Sequence, residues 1–204
     1  MKIKRFGGNG YTANGYAVVD DAATATILID PVVSPDALPD LPPISAIILT
    51  HAHFDHMLTV NEWRQRTAAP LAVHRGDAPA LGNADLNVYR LFTGGEGGTA
   101  PAEILLDEGS TITVGEETLT VWHTPGHTPG SICLAGDGFL ITGDTLFAGT
   151  IGRTDLPGGR EQDMRASLGR LFRLTDDLTL YPGHGPATTI LREKKYNPYA
   201  QWSE

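Results

Sequence analysis

The sequence has almost no cysteine and no long hydrophobic run. Its 204 residues include a single cysteine, Cys133, so an intrachain disulfide and a Cys-x-x-Cys zinc site are both excluded. No segment approaches about 18 consecutive apolar residues, which excludes a membrane-spanning helix. The basic residues near the N-terminus are not followed by the apolar segment that a secretory signal requires. These absences predict a cytoplasmic protein that does not interact with membranes.

Positive charge is also scarce, since the chain has 15 Lys and Arg residues and 24 Asp and Glu residues, a formal net charge of −9. A general nucleic-acid-binding surface is therefore not expected. Hydrophobic residues make up 41% of the chain, which is typical of a packed protein and unlike a disordered one. The length predicts one domain over residues 1–204, and nothing in the sequence points to a particular oligomeric state.

Short apolar segments between glycine-rich and proline-rich turns predict many strands. Tyr16–Asp20 and Thr26–Asp30 are predicted to form a hairpin. Ile44–Thr50 is a continuous apolar run, which is typical of a strand buried on both faces. Further strands are predicted at Pro70–His74, Ile104–Leu106, Thr111–Val114, Thr118–His123, Ile132–Ala135, Phe139–Thr142 and Leu178–Tyr181.

Helical signals are fewer. Asp55–Arg66 is predicted as a helix with Leu58 and Trp63 facing the core, and Glu161–Leu174 has helical periodicity. A last helix is predicted from about residue 187 to residue 195, ending before Asn197-Pro198. Residues 94–101 (GGEGGTAP) are predicted as a loop within the domain. Strand runs with helices outside them indicate a layered α/β sandwich.

The most informative segment is THAHFDH, which places His51, His53, Asp55 and His56 within six residues. It directly follows the apolar residues Ile44–Leu49, at the point where the predicted strand ends and a loop begins. The pattern H-x-H-x-D-H is expected by composition alone in about 6 of ten thousand such chains. Clustered imidazoles with a carboxylate fit zinc or another borderline divalent metal.

Three later segments supply further candidate ligands. His127 lies in a turn rich in Gly and Pro, Asp144 follows an apolar strand, and His184 follows the last predicted strand. All three lie at strand ends, where loops can converge on one edge of a sheet. With the first segment they give five His and two Asp, which is enough for two metal ions that share a bridging carboxylate.

These residues and their surroundings resemble the metallo-β-lactamase superfamily. The strings THAHFDH, HTPGHTPGS, GDTLFAGTIGRTDLPGG and YPGHGP are similar to its glyoxalase II-like (hydroxyacylglutathione hydrolase-like) members, and the likeness spans Asn14 to Pro198. The resemblance implies an αβ/βα four-layer sandwich with the site at one edge of two packed sheets. It implies two divalent metal ions, with zinc favoured and iron or manganese as alternatives. One would be held by His51, His53 and His127, and the other by Asp55, His56 and His184, with Asp144 and a hydroxide bridging the two.

The chemistry expected of such a site is hydrolysis of a small-molecule thioester such as S-lactoylglutathione or a related hydroxyacyl thioester. Metals supply a hydroxide near neutral pH, so no serine or cysteine nucleophile is needed. Asp55 is predicted to orient the hydroxide and take its proton, and a thiolate leaves with little acid assistance because its pKa is near 8.5. By the resemblance, Arg153 is a candidate contact to the thiol carrier, although an ion pair with Asp155 is equally expected.

The chain departs from glyoxalase II in one respect. It ends 20 residues after His184, so no C-terminal helical substrate domain is expected, and the sequence looks like a short glyoxalase II-like branch. One alternative function is a persulfide dioxygenase with a single iron. A second is a non-enzymatic binding protein on the same fold. A β-lactamase is less expected because no export signal is visible, and the complete set of seven ligand candidates favours a hydrolase.

Two histidines and the cysteine fall outside this set. His74 ends a predicted strand, where a hydrogen-bonded structural role is expected. His123 lies four residues before His127, so either a structural role or the orientation of a ligand fits it. Cys133 lies in an apolar strand and is predicted to be a buried hydrophobic residue rather than a nucleophile.

Overall fold

The structure is a computed structural model that describes residues 1–8 and 12–203. This part of the chain forms two mixed six-stranded sheets that pack face to face, with helices on the outer faces. The first sheet contains, in spatial order, β1 (Lys2–Gly7), β2 (Asn14–Val19), β3 (Thr26–Ile29), β4 (Ile44–Ile48), β5 (Leu71–His74) and β6 (Ile104–Leu106). The second contains, in chain order, β7 (Thr111–Val114), β8 (Glu117–His123), β9 (Ile132–Gly136), β10 (Phe139–Gly143), β13 (Thr179–Pro182) and β14 (Thr188–Thr189).

The remaining elements are short. A ribbon of two strands consists of β11 (Leu146–Phe147) and β12 (Thr150–Ile151). The helices are α1 (Val60–Thr67), α2 (Tyr89–Thr93), α3 (Glu161–Phe172) and α4 (Ile190–Tyr196). Within the described residues, no helix has the length and apolar character needed to cross a bilayer.

Three apolar layers hold the sandwich together, and the alternation of side chains along each strand explains them. Ile47 of β4 packs on the side of α1 with Trp63, whereas the adjacent Ile48 packs between the two sheets. Leu140 of β10 packs against α3, whereas Ile141 faces the first sheet. Successive residues of a strand point to opposite faces, so a strand covered on both faces has a continuous apolar sequence. The predicted four-layer αβ/βα sandwich is confirmed.

Most predicted strands are confirmed, including the hairpin, in which β2 pairs antiparallel with β3 and Tyr16 lies opposite Ile29. Strand β1 was not predicted. Its sequence KIKRFG is mostly exposed and basic, so it shows no apolar period, yet it pairs along its length with β2 at the edge of the sheet. The short strands β11, β12 and β14 were also missed.

The helix predicted from Asp55 is a correction. Residues 54–56 form a 3₁₀ turn and α1 begins only at Val60, so Leu58 is 43% exposed whereas Trp63 is 3% exposed. The Thr59 hydroxyl donates to the carbonyl oxygens of Pro31 and Val33, at 3.0 and 2.9 Å, and this contact fixes the turn before the helix starts.

The last helix also begins later than predicted. Residues 188–189 pair with β13 as a strand, and the Thr189 side chain then accepts a hydrogen bond from the Arg192 amide, which caps α4. The helix therefore begins at Ile190 rather than at residue 187. It ends at Tyr196, before Asn197-Pro198, as predicted.

Candidate metal centre

The first candidate ligands lie where β4 leaves the sheet. The Thr50 amide and hydroxyl both donate to the carboxylate of Asp30, at 2.7 and 2.6 Å, and the Ile132 amide donates to the Thr50 carbonyl. Asp30 itself directly follows β3 and has a positive φ of 48°. These bonds connect the end of β4 to both sheets and fix the direction in which His51 and His53 leave the strand.

The first set consists of His51, His53 and His127. The ring centroids are 4.8 Å apart for His51 and His53, 4.7 Å for His51 and His127, and 4.5 Å for His53 and His127. All three side chains are buried. Each ring offers one nitrogen within 4.8 Å of the other two, which is a spacing that a single metal ion can bridge.

The second set consists of Asp55, His56 and His184. Asp55 Oδ2 lies 3.2 Å from His184 Nε2 and 3.9 Å from His56 Nε2. Asp144 lies between the two sets, with Oδ1 3.3 Å from His56 Nε2 and Oδ2 3.4 Å from His127 Nε2. The structure therefore brings all seven predicted ligands to one edge of the sandwich and places Asp144 where a bridging carboxylate would be.

Unpartnered buried atoms test whether this cluster fits metal ions. The Nε2 atoms of His51, His53, His56 and His127, together with Asp144 Oδ1, are buried and make no hydrogen bond. A buried polar atom without a partner costs about 1–3 kcal/mol, so five that point to one place call for a ligand. Nitrogen and carboxylate oxygen donors of this kind fit zinc and other borderline divalent cations.

In three of these four rings the opposite nitrogen is occupied, which fixes the orientation of the ring. The Nδ1 atom of His56 lies 2.8 Å from Asp30 Oδ2, that of His51 lies 3.2 Å from the Thr50 hydroxyl, and that of His127 lies 2.7 Å from the Arg153 carbonyl. Hydrogen bonds to Nδ1 leave Nε2 free to bind a metal and hold the ring in place.

The electrostatics of the cluster also suit cations. Burial lowers the pKa of His51 well below its usual value and that of His53 to about 3, so both rings are neutral, as metal ligands must be. Burial opposes a charge on His56 as well, yet the carboxylates of Asp144 and Asp30 raise its pKa well above the usual value. Positive charge is therefore favoured at His56, which has Asp30 at Nδ1 and Asp144 at Nε2.

Asp77 is a positioning residue that no sequence pattern indicated. It is buried, and its Oδ2 accepts hydrogen bonds from the Ala52 amide and the Thr128 hydroxyl, at 2.9 and 2.8 Å. Its Oδ1 accepts from the Gly130 amide at 2.6 Å. One carboxylate thus connects the loop of His51 and His53 to the loop of His127. Asp30 was also missed, although its place at the end of the predicted strand Thr26–Asp30 was a usable signal.

Glycines allow the ligand loops to approach each other closely. A Cβ at Gly183 would overlap Asp144 Oδ1 and the ring of His56. A Cβ at Gly152 would overlap the carbonyl oxygen of Asp144 and reach the ring of His127. These two contacts explain why glycine is needed before His184 and in the segment that follows Asp144.

Five of the seven candidate ligands line a cavity of about 700 Å³. Its floor contains His53, Asp55, His127, Asp144 and His184. Arg153 lies on its wall, and the guanidinium donates to both carboxylate oxygens of Asp155, at 2.6 and 2.7 Å. Both expected roles of Arg153 are therefore compatible with its position, since the paired side chain also faces the cavity.

The two remaining histidines lie apart from the seven. His74 and His123 stack on each other with centroids 3.9 Å apart, and His123 Nε2 bonds to the Pro129 carbonyl rather than to His127. His74 accepts a hydrogen bond from the Gly76 amide, as a structural residue would. Cys133 is fully buried, and burial raises its pKa to about 11, so it is no nucleophile at neutral pH.

Two face-to-face sheets with helices outside, and a cluster of histidine and aspartate at one sheet edge, define a metallo-β-lactamase type of fold. Residues 8–184 match the Metallo-beta-lactamase superfamily, and the chain belongs to that superfamily. The fold and the cluster together indicate the use of divalent metal. The narrower glyoxalase II-like assignment stays a prediction.

Individual relatives cover from three quarters to almost all of the chain. The probable metallo-hydrolase YqgX of Bacillus subtilis is 37% identical over 157 residues, which is 76% of this chain and 74% of the relative. The crystal structure of the B3 metallo-beta-lactamase BLEG-1 has a TM-score of 0.90 at 33% identity, covering 97% of this chain and 99% of that chain. The structure of TTHA1623 in a di-iron-bound form has a TM-score of 0.81 at 33% identity, covering 98% and 100%.

Proposed function

We propose that the protein is a metal-dependent hydrolase of thioesters, such as S-lactoylglutathione or a related hydroxyacyl thioester. The superfamily and the probable metallo-hydrolase among the relatives support hydrolysis in general. The observation that favours this most is the convergence of five unpartnered buried donor atoms at one edge of the sandwich, three of them on residues that line the cavity. We infer that His51, His53 and His127 hold one metal ion. Asp55, His56 and His184 would hold a second ion, and Asp144 would contact both.

The reaction consumes water. The C–S bond of the thioester breaks, a C–O bond to the water oxygen forms, and the products are a carboxylic acid and a thiol. Bound divalent metals would supply hydroxide at neutral pH and polarise the thioester carbonyl. Asp55 lines the cavity, so its carboxylate can orient the attacking water and accept a proton from it.

The test is thiol release from a panel of thioesters, measured together with metal content on protein loaded with zinc, iron or manganese. A chromogenic disulfide reagent detects the thiol, and the buried Cys133 contributes no background. Asp55→Asn is expected to lower kcat by about 10²–10⁴-fold. The control is Asp137→Asn in the exposed turn between β9 and β10, which is expected to retain full activity. Unaltered thioesterase activity in Asp55→Asn would contradict the mechanism.

Two other outcomes would replace the proposal. Oxygen uptake with glutathione persulfide, without thiol release from any thioester, would indicate a persulfide dioxygenase that uses iron. Hydrolysis of a β-lactam is favoured as a second candidate by the similarity to BLEG-1. A chromogenic cephalosporin added to the same panel tests it directly, and a higher kcat/KM for the β-lactam than for every thioester would establish it.

A further inference from the structure

The walls of the cavity are much less polar than its floor. Above the candidate ligands the lining is largely apolar and includes Phe54, Val88, Phe92, Phe147, Ile151 and Leu156. We call these six side chains the apolar wall. Cavities of a few hundred to 1,000 Å³ with apolar walls and a few polar groups are typical of small-molecule sites. Because the wall adjoins the candidate ligands in one continuous cavity, it must face whatever lies next to the scissile bond.

Two aromatic residues of the apolar wall lie directly beside the candidate ligands. Phe54 is the neighbour of both His53 and Asp55 in the chain, and Phe147 packs edge-on against the ring of His184 at 6.0 Å. Phe92 lies 5.8 Å from Phe54 and is 57% exposed. An aromatic ring that is packed on one side and left to solvent on the other is a surface that a ligand can cover.

The segment that presents Phe92 is held in a strained conformation. Val88 immediately before α2 has a φ of 58°, which is costly for a β-branched residue, and it is nevertheless buried. Asn87 fixes this conformation, because its side chain accepts from the Tyr89 amide and donates to the Gly97 carbonyl, both at 3.0 Å. The Phe54 amide donates to the Asn87 carbonyl at 3.0 Å, which ties the segment to the ligand loop.

The charges of the residues that line the cavity also favour an apolar ligand. Arg153 is the only lysine or arginine among the described residues that line the cavity, and Asp155 already pairs with its guanidinium. Within that lining, no unpaired lysine or arginine is available to bind a carboxylate of the substrate. Glutathione has two carboxylates, so a carrier of this kind would gain little binding free energy from the residues of the cavity wall.

We infer that the substrate is a thioester of an apolar acyl group, aliphatic or aromatic, on a carrier without several negative charges. This inference rests on the proposed thioesterase function, but it takes an apolar acyl group on a neutral carrier in place of the lactoyl group and the glutathione named there. The acyl group lies against the apolar wall, with Phe92 covering its far end. Phe92 is thus a specificity-determining residue, because it contacts the acyl chain at a distance from the reacting carbonyl.

The experiment compares acetyl, hexanoyl and benzoyl thioesters of N-acetylcysteamine with hexanoyl and lactoyl thioesters of glutathione, on zinc-loaded protein. We expect kcat/KM to be at least about tenfold higher for hexanoyl than for acetyl on the neutral carrier. For the hexanoyl group, the neutral carrier is expected to be better than glutathione. Phe92→Ala should remove most of the preference for hexanoyl over acetyl, measured as the ratio of the two kcat/KM values.

Leu91→Ala provides the matched control. Leu91 is the neighbour of Phe92 in α2 and is 65% exposed, but it does not line the cavity, so its loss should leave the preference intact. Equal kcat/KM for acetyl and hexanoyl, or a preference for lactoylglutathione, would overturn the inference while leaving the thioesterase function standing. An equal loss of preference in both variants would also overturn it. Absence of thiol release from every thioester would refute the proposed function itself.

Discussion

The carboxylate of Asp77 should contribute more to stability and metal affinity than any exposed aspartate, because it connects the two loops that supply the first candidate ligand set. Asp77→Ala would leave the buried amides of Ala52 and Gly130 without an acceptor, whereas the Thr128 hydroxyl keeps Ser131 Oγ at 2.8 Å as a partner. At about 1–3 kcal/mol for each unsatisfied donor, we expect the free energy of unfolding to fall by about 2–6 kcal/mol.

The same change should weaken metal binding in the protein that remains folded. Ala52 lies between His51 and His53, and Thr128 follows His127, so loss of the bond shared through Asp77 lets these rings move apart. Loss of groups that orient metal ligands typically lowers metal affinity about 10–100-fold. Asp77→Asn retains the size of the side chain and one acceptor oxygen, and it should give intermediate losses of both quantities.

The assays are urea unfolding without metal and zinc competition against a chromophoric chelator. Asp107→Asn is the control, since Asp107 is a half-exposed carboxylate whose loss breaks an ion pair with Arg75. Exposed ion pairs contribute under about 1 kcal/mol, so this variant should bind zinc like the wild type. The reasoning is refuted if Asp77→Ala loses no more stability than Asp107→Asn, or if its folded form keeps the full zinc affinity.

Three further predictions concern other parts of the site and core. Asp30→Ala removes the acceptor of His56 Nδ1 and should lower zinc affinity about 10–100-fold in a competition titration; unchanged affinity would contradict its orienting role. Cys133 should resist a disulfide reagent at pH 8 in the folded protein, since its pKa is about 11, and react at once in urea; rapid labelling without urea would show that the thiol is accessible. Gly152→Ala should lower thermal stability and zinc affinity together because a Cβ there overlaps Asp144. The control Gly82→Ala, whose Cβ would lie 3.8 Å from its nearest neighbour, should change neither.

The sequence was sufficient to predict which residues form the His and Asp cluster but not the residues that support it. His51, His53 and Asp55 lie within five residues of one another, and His127 and His184 follow recognisable strands, so their convergence is visible without coordinates. Asp77 has no such signal. Its role depends on which loops lie next to the end of β5, and that is decided by packing.

Two further features were hidden for related reasons. The helical period from Asp55 placed Leu58 in the core, but the 3₁₀ turn rotates the chain differently from an α-helix and leaves that side chain exposed. The helix α2 has only five residues and no apolar period, so the position of Phe92 in the lining of the cavity was not predictable. In both places contacts distant in the chain decide the local conformation.

Each candidate metal draws its ligands from both halves of the chain. His51 and His53 follow a strand of the first sheet and His127 a strand of the second, and the same division holds for His56 and His184. A bound ion would therefore cross-link the two halves, which the chain itself connects only between β6 and β7. Metal binding and the packing of the two sheets are therefore thermodynamically coupled. Any event that separates the sheets at this edge also releases the metal.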